Sequence, residues 1–191
     1  MAEANKIADA LQVLESLGMP RAQQNDRSAL CLLALLDLKK GESWADAADP
    51  LVGITPMMEF ARDHYGKLYA PNSRETFRRQ TIHQLVAAGI ALYNPDDPGR
   101  PVNSPKAVYQ IEADTLTLLR SFGTAAWNNN LERYLTTRKT LIARYAKARD
   151  MKKLLVKLAT RETIRLSPGA HSELIKAIIC RGHRREVGIL R

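Results

Sequence analysis

The chain has 191 residues, enough for one medium domain or for one small domain with part of another. A hydrophobic share of 45% can build a core, while no apolar run approaches the ~20 residues of a membrane span, so no membrane partner is expected. The net charge of +9 is uneven: residues 1–132 hold 13 basic and 16 acidic side chains, and residues 133–191 hold 16 and 4. A basic balance suits phosphate-bearing partners, and the plainer alternative is a solvated helical face.

The first predicted helix covers Asn5–Leu17 and is stopped by Gly18 and Pro20. It carries Asp9 and Glu15, so it is not a signal peptide. Cys31 and Cys180 lie far apart, with no CxxC or Cys/His spacing, which argues against a disulfide framework or a zinc site. A reducing, cytoplasmic setting follows as an expectation. A second helix spans Gln24–Leu38, ended by Lys39, Lys40 and Gly41. Ser43 is placed to cap a short turn at Trp44–Ala48, and Pro50 stops it. A third helix runs over Thr55–Tyr65, with Pro56 in its first turn, where a missing N–H costs nothing, and Gly66 after it.

After the turn Lys67–Pro71, a fourth helix spans Asn72–Ala88. Asn72 with Glu75 has the form of a capping box, and Gly89 ends the helix. Two short strands follow, around Leu92 and over Tyr109–Ile111. Pro95, Pro98, Pro101 and Pro105 stiffen the connection and cannot sit inside a paired strand. Helices then come at Asp114–Ser121 and Ala125–Ala148, strands at Leu154–Leu158 and Thr163–Leu166, and a helix at Ala170–Ile179. Three helices, a fourth and a hairpin make the order of a winged helix-turn-helix, an architecture that sets one helix in a DNA major groove.

Each helical residue advances about 100°, so the fourth helix can be projected from Phe77. Ile82, Leu85 and Val86 fall on an arc of roughly 80–180°. Asn72, Ser73, Thr76, Arg79, Gln80, His83 and Gln84 fall on the opposite arc, roughly 200–340°. Arg can read guanine and Gln or Asn can read adenine by paired hydrogen bonds, while Ser and Thr suit phosphates or base edges. Arg78 lies inside the apolar arc and Arg74 at its edge. Either they clamp phosphate, or they form ion pairs, with Glu75 or Glu59 as candidate partners. Arg100 and Lys106 in the hairpin are candidates for a flanking phosphate or minor groove, with plain solvation as the alternative.

Catalytic signals are weak by comparison. There is no Gly-rich phosphate loop. A metal-dependent nuclease of the PD-(D/E)xK kind needs paired carboxylates to hold Mg²⁺ and a lysine two residues on. Asp37-Leu-Lys39 and Asp150-Met-Lys152 match only the D-x-K spacing and lack strand context. His171, Glu173 and Lys176 fall within about one and a half helical turns, which also describes an ordinary solvated helix start.

Gln23–Asp37, Gly53–Met58, Ala70–His83, Tyr93–Pro98 and Arg100–Tyr109 resemble the amino-terminal helix-turn-helix domain of BsuBI/PstI-type restriction endonucleases. The resemblance covers about residues 20–180, and Leu166–Ile179 is similar to the start of that family's catalytic domain. It implies a type II enzyme that uses Mg²⁺, acts as a homodimer, and cuts a palindromic, CTGCAG-like site in double-stranded DNA. A two-fold dimer on a palindrome gives each protomer one half-site. The chain departs from the family after Ile179, where the basic stretch Cys180–Arg191 replaces the domain that carries the Asp and Glu-x-Lys motif. No catalytic residue is assigned, Glu173 being the weakest of candidates.

The expectation is therefore a mainly α protein in three parts. Residues 1–112 form a winged helix-turn-helix with a small β hairpin. Residues 113–150 form connecting helices, and residues 151–191 a truncated α/β nuclease segment. It is expected to bind duplex DNA through Asn72, Ser73, Arg74, Thr76, Arg78, Arg79, Gln80, His83, Arg100 and Lys106, and not to cleave alone. A non-catalytic winged-helix regulator is the alternative.

Overall fold

Two asparagines start the first two helices. Asn5 Oδ1 accepts from Ala8 N at 3.4 Å ahead of α1 (Lys6–Ser16), and Asn25 Oδ1 accepts from Ser28 N at 3.1 Å ahead of α2 (Asp26–Leu35). Each satisfies an N–H that the helix itself leaves open. The computed structural model describes residues 5–101 and 104–137 in full, together with the backbone of 154–157 and 163–166. The expected helix at 170–179, the triplet Asp150-Met-Lys152, Glu173 with its neighbours His171 and Lys176, and the tail at 180–191 lie outside the described residues.

Every residue of α2 from Ser28 to Leu35 is buried, so it is a core helix rather than an amphipathic surface one. Against it pack α1, α3 (Ile54–Tyr65) and a helical rod. The rod consists of α4 (Arg74–Phe77), a π-helical turn (Arg78–Ile82) and α5 (His83–Ala87). Leu30 and Leu33 of α2, Met57 and Ala61 of α3, and Phe77, Ile82 and Leu85 of the rod belong to one buried cluster. Gly66 ends α3 with φ +68°, its N–H returning to the carbonyls of Ala61 and Arg62. A side chain is disfavoured in that left-handed conformation, so glycine sets the turn between α3 and the rod.

The rod departs from the expected helix in two ways. Its first turn, Pro71–Ser73, is a 3₁₀ turn, and the Asn72/Glu75 capping box does not form. Glu75 instead faces two guanidinium groups on the next turn, and such charge-assisted bonds are stronger than a neutral cap. The other departure is the π turn, a local widening that a constant 3.6-residue period does not anticipate.

Strand β1 (Ala91–Tyr93) pairs antiparallel with β2 (Tyr109–Ile111), with Tyr93 opposite Tyr109. Val52, just before α3, bridges the other edge of β2: Val52 N donates to Tyr109 O at 2.8 Å and Tyr109 N to Val52 O at 2.9 Å. The hairpin is thereby fastened to the start of α3. Following it, Glu112 caps α6 (Ala113–Leu119) through Thr115 N at 2.9 Å. Residues 127–137 form the described part of the next helix, α7, expected to run to Ala148. Arg120 fixes α6 to the helical core by donating twice to Ala47 O, at 2.9 and 2.7 Å. Trp44 sits beneath, its ring 5.0 Å from Phe122 and its Nε1 donating to Asp9 at 3.3 Å. It follows Ser43, whose capping box with Asp46 holds a 3₁₀ turn, Trp44–Asp46, shorter than expected. Strands β3 (Leu154–Lys157) and β4 (Thr163–Leu166) lie on the two expected stretches, β3 one residue shorter, and pair antiparallel. No helix among the described residues is long and apolar enough to cross a membrane.

Candidate nucleic-acid interface

The rod sorts its residues by burial. Phe77, Thr81, Ile82 and Leu85 are buried, while Asn72, Arg74, Glu75, Arg79, Gln80 and Gln84 are exposed. Ser73 and Thr76 are half-buried at the margin. Thr81 is the polar member of the inner set, and its hydroxyl accepts from Arg27 Nε of α2 at 2.8 Å. The π turn therefore carries its own anchor, while Arg79 and Gln80 stand side by side on the outer surface. A π turn within an α-helix is often found at functional sites.

Arg78 pairs with Glu75 rather than with Glu59. Its Nε donates to Glu75 Oε2 at 3.0 Å and its Nη2 to Oε1 at 2.7 Å, a two-pronged fork. Arg79 Nε donates to the same Oε1. Hydrogen bonds from Arg78 and then Arg79 hold the Glu75 carboxyl down at about 2. Arg79 remains the more solvent-facing of the two, with 70% of its side chain exposed against 23% for Arg78. Arg74 makes no ion pair among the described residues.

His83 departs from its projected position on the outer arc. It is half-buried, with Nε2 3.3 Å from Tyr109 Oη and its ring centroid 6.1 Å from that of Tyr93. A projection of one helix contains no information about the hairpin that covers this side. Burial lowers the His83 pKa below its ordinary value, and the neighbouring Arg78 charge lowers it further. Burial likewise pushes the Tyr109 phenol up. His83 is thus a neutral joint between rod and hairpin at neutral pH.

The two hairpin cations differ sharply. Arg100 is folded back into the loop: Nη2 meets Asp96 Oδ2 at 2.6 Å, and Nη1 donates to Asp96 Oδ1 and Asn94 Oδ1 at 3.1 Å each. Only 15% of its side chain is exposed. Asn94 Oδ1 also accepts from Val108 N at 3.0 Å, so Arg100, Asn94 and the return strand form one connected unit. Lys106 is exposed and makes no ion pair among the described residues.

No three His, Cys, Asp or Glu side chains converge among the described residues. Asp37 and Lys39 of the first D-x-K triplet pair with each other at 3.4 Å at the end of α2. Cys31 is buried in α2, which pushes its thiol up to about 12 and leaves it unreactive.

The model of the BsuBI/PstI restriction endonuclease HTH domain matches residues 4–143. The chain belongs to this family. The type II restriction enzyme BsuBI of Bacillus subtilis is 59% identical over 175 residues, covering 92% of this chain and 55% of that protein. The type II restriction enzyme AplI of Arthrospira platensis is 37% identical over 171 residues, covering 90% and 52%. The solved structure of SdaI restriction endonuclease superposes with a TM-score of 0.68 at 33% identity, covering 93% of this chain and 56% of that one. The chain thus spans about half the length of these relatives. In this BsuBI/PstI HTH domain, the matched region takes in the rod, the hairpin, α6 and α7. The Arg79–Glu75 pair and the Arg27–Thr81 contact are the features of the rod that the sequence reading did not name. Glu75 was named as a partner for Arg78, and the same spacing rule, by which an acid four residues before an arginine meets it on a helix, extends to Arg79. Arg27 had no local signal.

Proposed function

We propose that this BsuBI/PstI HTH domain is the DNA-reading part of a type II site-specific deoxyribonuclease of a bacterial restriction-modification system. The observation that carries this reading is the pair Arg79 and Gln80, adjacent and exposed on a rod whose inner face is locked by Phe77, Thr81 and Ile82. In this reading the rod lies in the major groove of double-stranded DNA, in the manner of a winged helix-turn-helix. Arg79 meets a guanine and Gln80 an adenine, the pairings that geometry favours. Asn72, Ser73, Arg74 and Thr76 approach the phosphates at the open end of the rod, and Lys106 approaches from the hairpin. Arg78, His83 and Arg100 hold this surface in shape. The isolated bridge between Val52 and Tyr109 supports the winged reading, because it makes the hairpin part of a sheet with the start of α3.

The site we propose is palindromic and CTGCAG-like, read by a homodimer with one half-site per protomer. Residues 1–112 would read, residues 113–150 would connect, and residues 151–191 would open the cutting domain of a longer, cytoplasmic, Mg²⁺-using enzyme. The 191 residues are proposed to bind and not to cut. A gel-shift titration tests this reading. A CTGCAG duplex is expected to bind at least tenfold more tightly than a promoter-like duplex, and Arg79→Ala with Gln80→Ala is expected to abolish the difference, since each bidentate contact supplies ~1–3 kcal/mol of discrimination. Preference for the promoter-like duplex would favour a non-catalytic regulator instead. Unchanged affinity in the double variant would turn the rod into a protein-binding surface. Mg²⁺-dependent cleavage by the purified chain would defeat the non-cutting part.

A further inference from the structure

We infer that Glu75 is a specificity-setting residue that acts by positioning Arg79; the inference rests on the DNA-reading proposal above. One carboxylate holds two guanidinium groups. Arg78 uses Nε and Nη2 on Glu75 and is the more buried of the two. Arg79 uses only Nε, so its two Nη nitrogens have no hydrogen-bond partner among the described residues. The arrangement is directional: Arg78 fixes the carboxylate, and the carboxylate fixes the root of the Arg79 fork. The edge left over is the one a guanine O6/N7 pair accepts from.

An arginine held this way loses fewer rotamers on reaching a base than a free one does. The same carboxylate repels phosphate, which lowers affinity for DNA of any sequence. Glu75 therefore raises specificity and reduces non-specific binding together. A role confined to fold stability would produce neither effect in a folded protein. Glu75 is exposed, and Glu75→Gln keeps its shape and one acceptor while removing the charge.

The experiment is a binding selection with the full 191-residue chain on a duplex library carrying a randomised 10-base-pair centre, sequenced after capture. The wild type, Glu75→Gln, Arg79→Ala and Arg78→Lys are compared, with circular dichroism confirming that each is folded. Glu75→Gln is expected to capture two- to fivefold more total DNA while enrichment at one G·C column falls about tenfold. The column it flattens should be the one that Arg79→Ala flattens, and Arg78→Lys should flatten it partly. The inference is overturned if Glu75→Gln leaves that column unchanged, or flattens a different column from Arg79→Ala. A wild type that captures DNA without enriching any column also overturns it, while leaving DNA binding intact. A wild type that captures no DNA removes the DNA-reading proposal, and this inference with it.

Discussion

Arg27 and Thr81 are 54 residues apart in sequence and meet at 2.8 Å, the guanidinium Nε donating to the threonine hydroxyl. This contact ties the core helix α2 to the π turn that displays Arg79 and Gln80. Thr81 is fully buried, so replacing it with valine keeps the volume and strands a charged donor at a part-buried site. Thr81→Val is expected to lower stability by about 1.5–3 kcal/mol, the range of hydrogen bonds to charged groups. Thr81→Ser keeps the acceptor but loses a buried methyl, at about 1 kcal/mol, so it should recover only part of that. Urea unfolding with a common slope measures both, and equal midpoints for wild type and valine variant would remove the anchor from the account.

The joint between rod and hairpin should respond to mild acid. His83 sits half-buried against Tyr109 and Tyr93, with its pKa below the ordinary 6.5 chiefly because of burial. The folded protein therefore prefers the neutral ring. Its stabilising contribution is full above pH 6.5 and falls away as the pH drops below that value toward the lowered native pKa. The urea midpoint of the wild type should fall more between pH 7.5 and pH 5.5 than that of His83→Gln, which has no proton to gain there. Parallel losses in the two proteins would count against a neutral joint.

The Glu75 array should persist well into acid. Its carboxyl is held at about 2 instead of 4.5, first by Arg78 and then by Arg79. The depressed value means that the interaction is complete above the unfolded carboxyl pKa and is lost only as the pH falls through about 2. Carboxyl-carbon NMR titration of the native protein should therefore show no Glu75 inflection between pH 5 and pH 3. In Arg78→Ala the inflection should move up toward 4.5, with Arg79 retaining part of the shift. A wild-type inflection near 4.5 would show that the array is not populated in solution.

These features differ in how much of them the sequence carried. The start of α1 and the end of α3 were readable because their signals are local: Asn5 caps its own helix and Gly66 turns the chain left-handed within one residue. The buried face of the rod was also readable, since Phe77, Ile82 and Leu85 repeat at helical spacing. The inward position of Thr81 and the covering of His83 were not, because Arg27 and Tyr109 come from distant parts of the chain. Val52 was missed for a different reason. A strand one residue long has no alternation to detect, although its two backbone bonds fasten the hairpin. The family's own residues marked the region, but only the contacts separated Arg79, which faces out, from Arg100, which folds in.

That last separation gives a paired prediction for the hairpin. Lys106 is exposed, and Arg100 is closed around Asp96 and Asn94. If Lys106 meets a phosphate, Lys106→Ala should weaken binding to all duplexes alike and reduce the slope of log affinity against log salt by about 1, with no change in folding. Arg100→Ala should act differently. It leaves Asp96 and a buried Asn94 without their guanidinium, so amide exchange should quicken at Asn94 and Val108, whose N–H groups bond within the loop. Its salt slope should stay close to that of the wild type, because Arg100 is already neutralised within the loop. Salt titrations of duplex affinity beside hydrogen exchange on both variants decide the matter. A slope change in Arg100→Ala as large as that in Lys106→Ala would mean that Arg100 leaves Asp96 on binding and contacts the backbone itself.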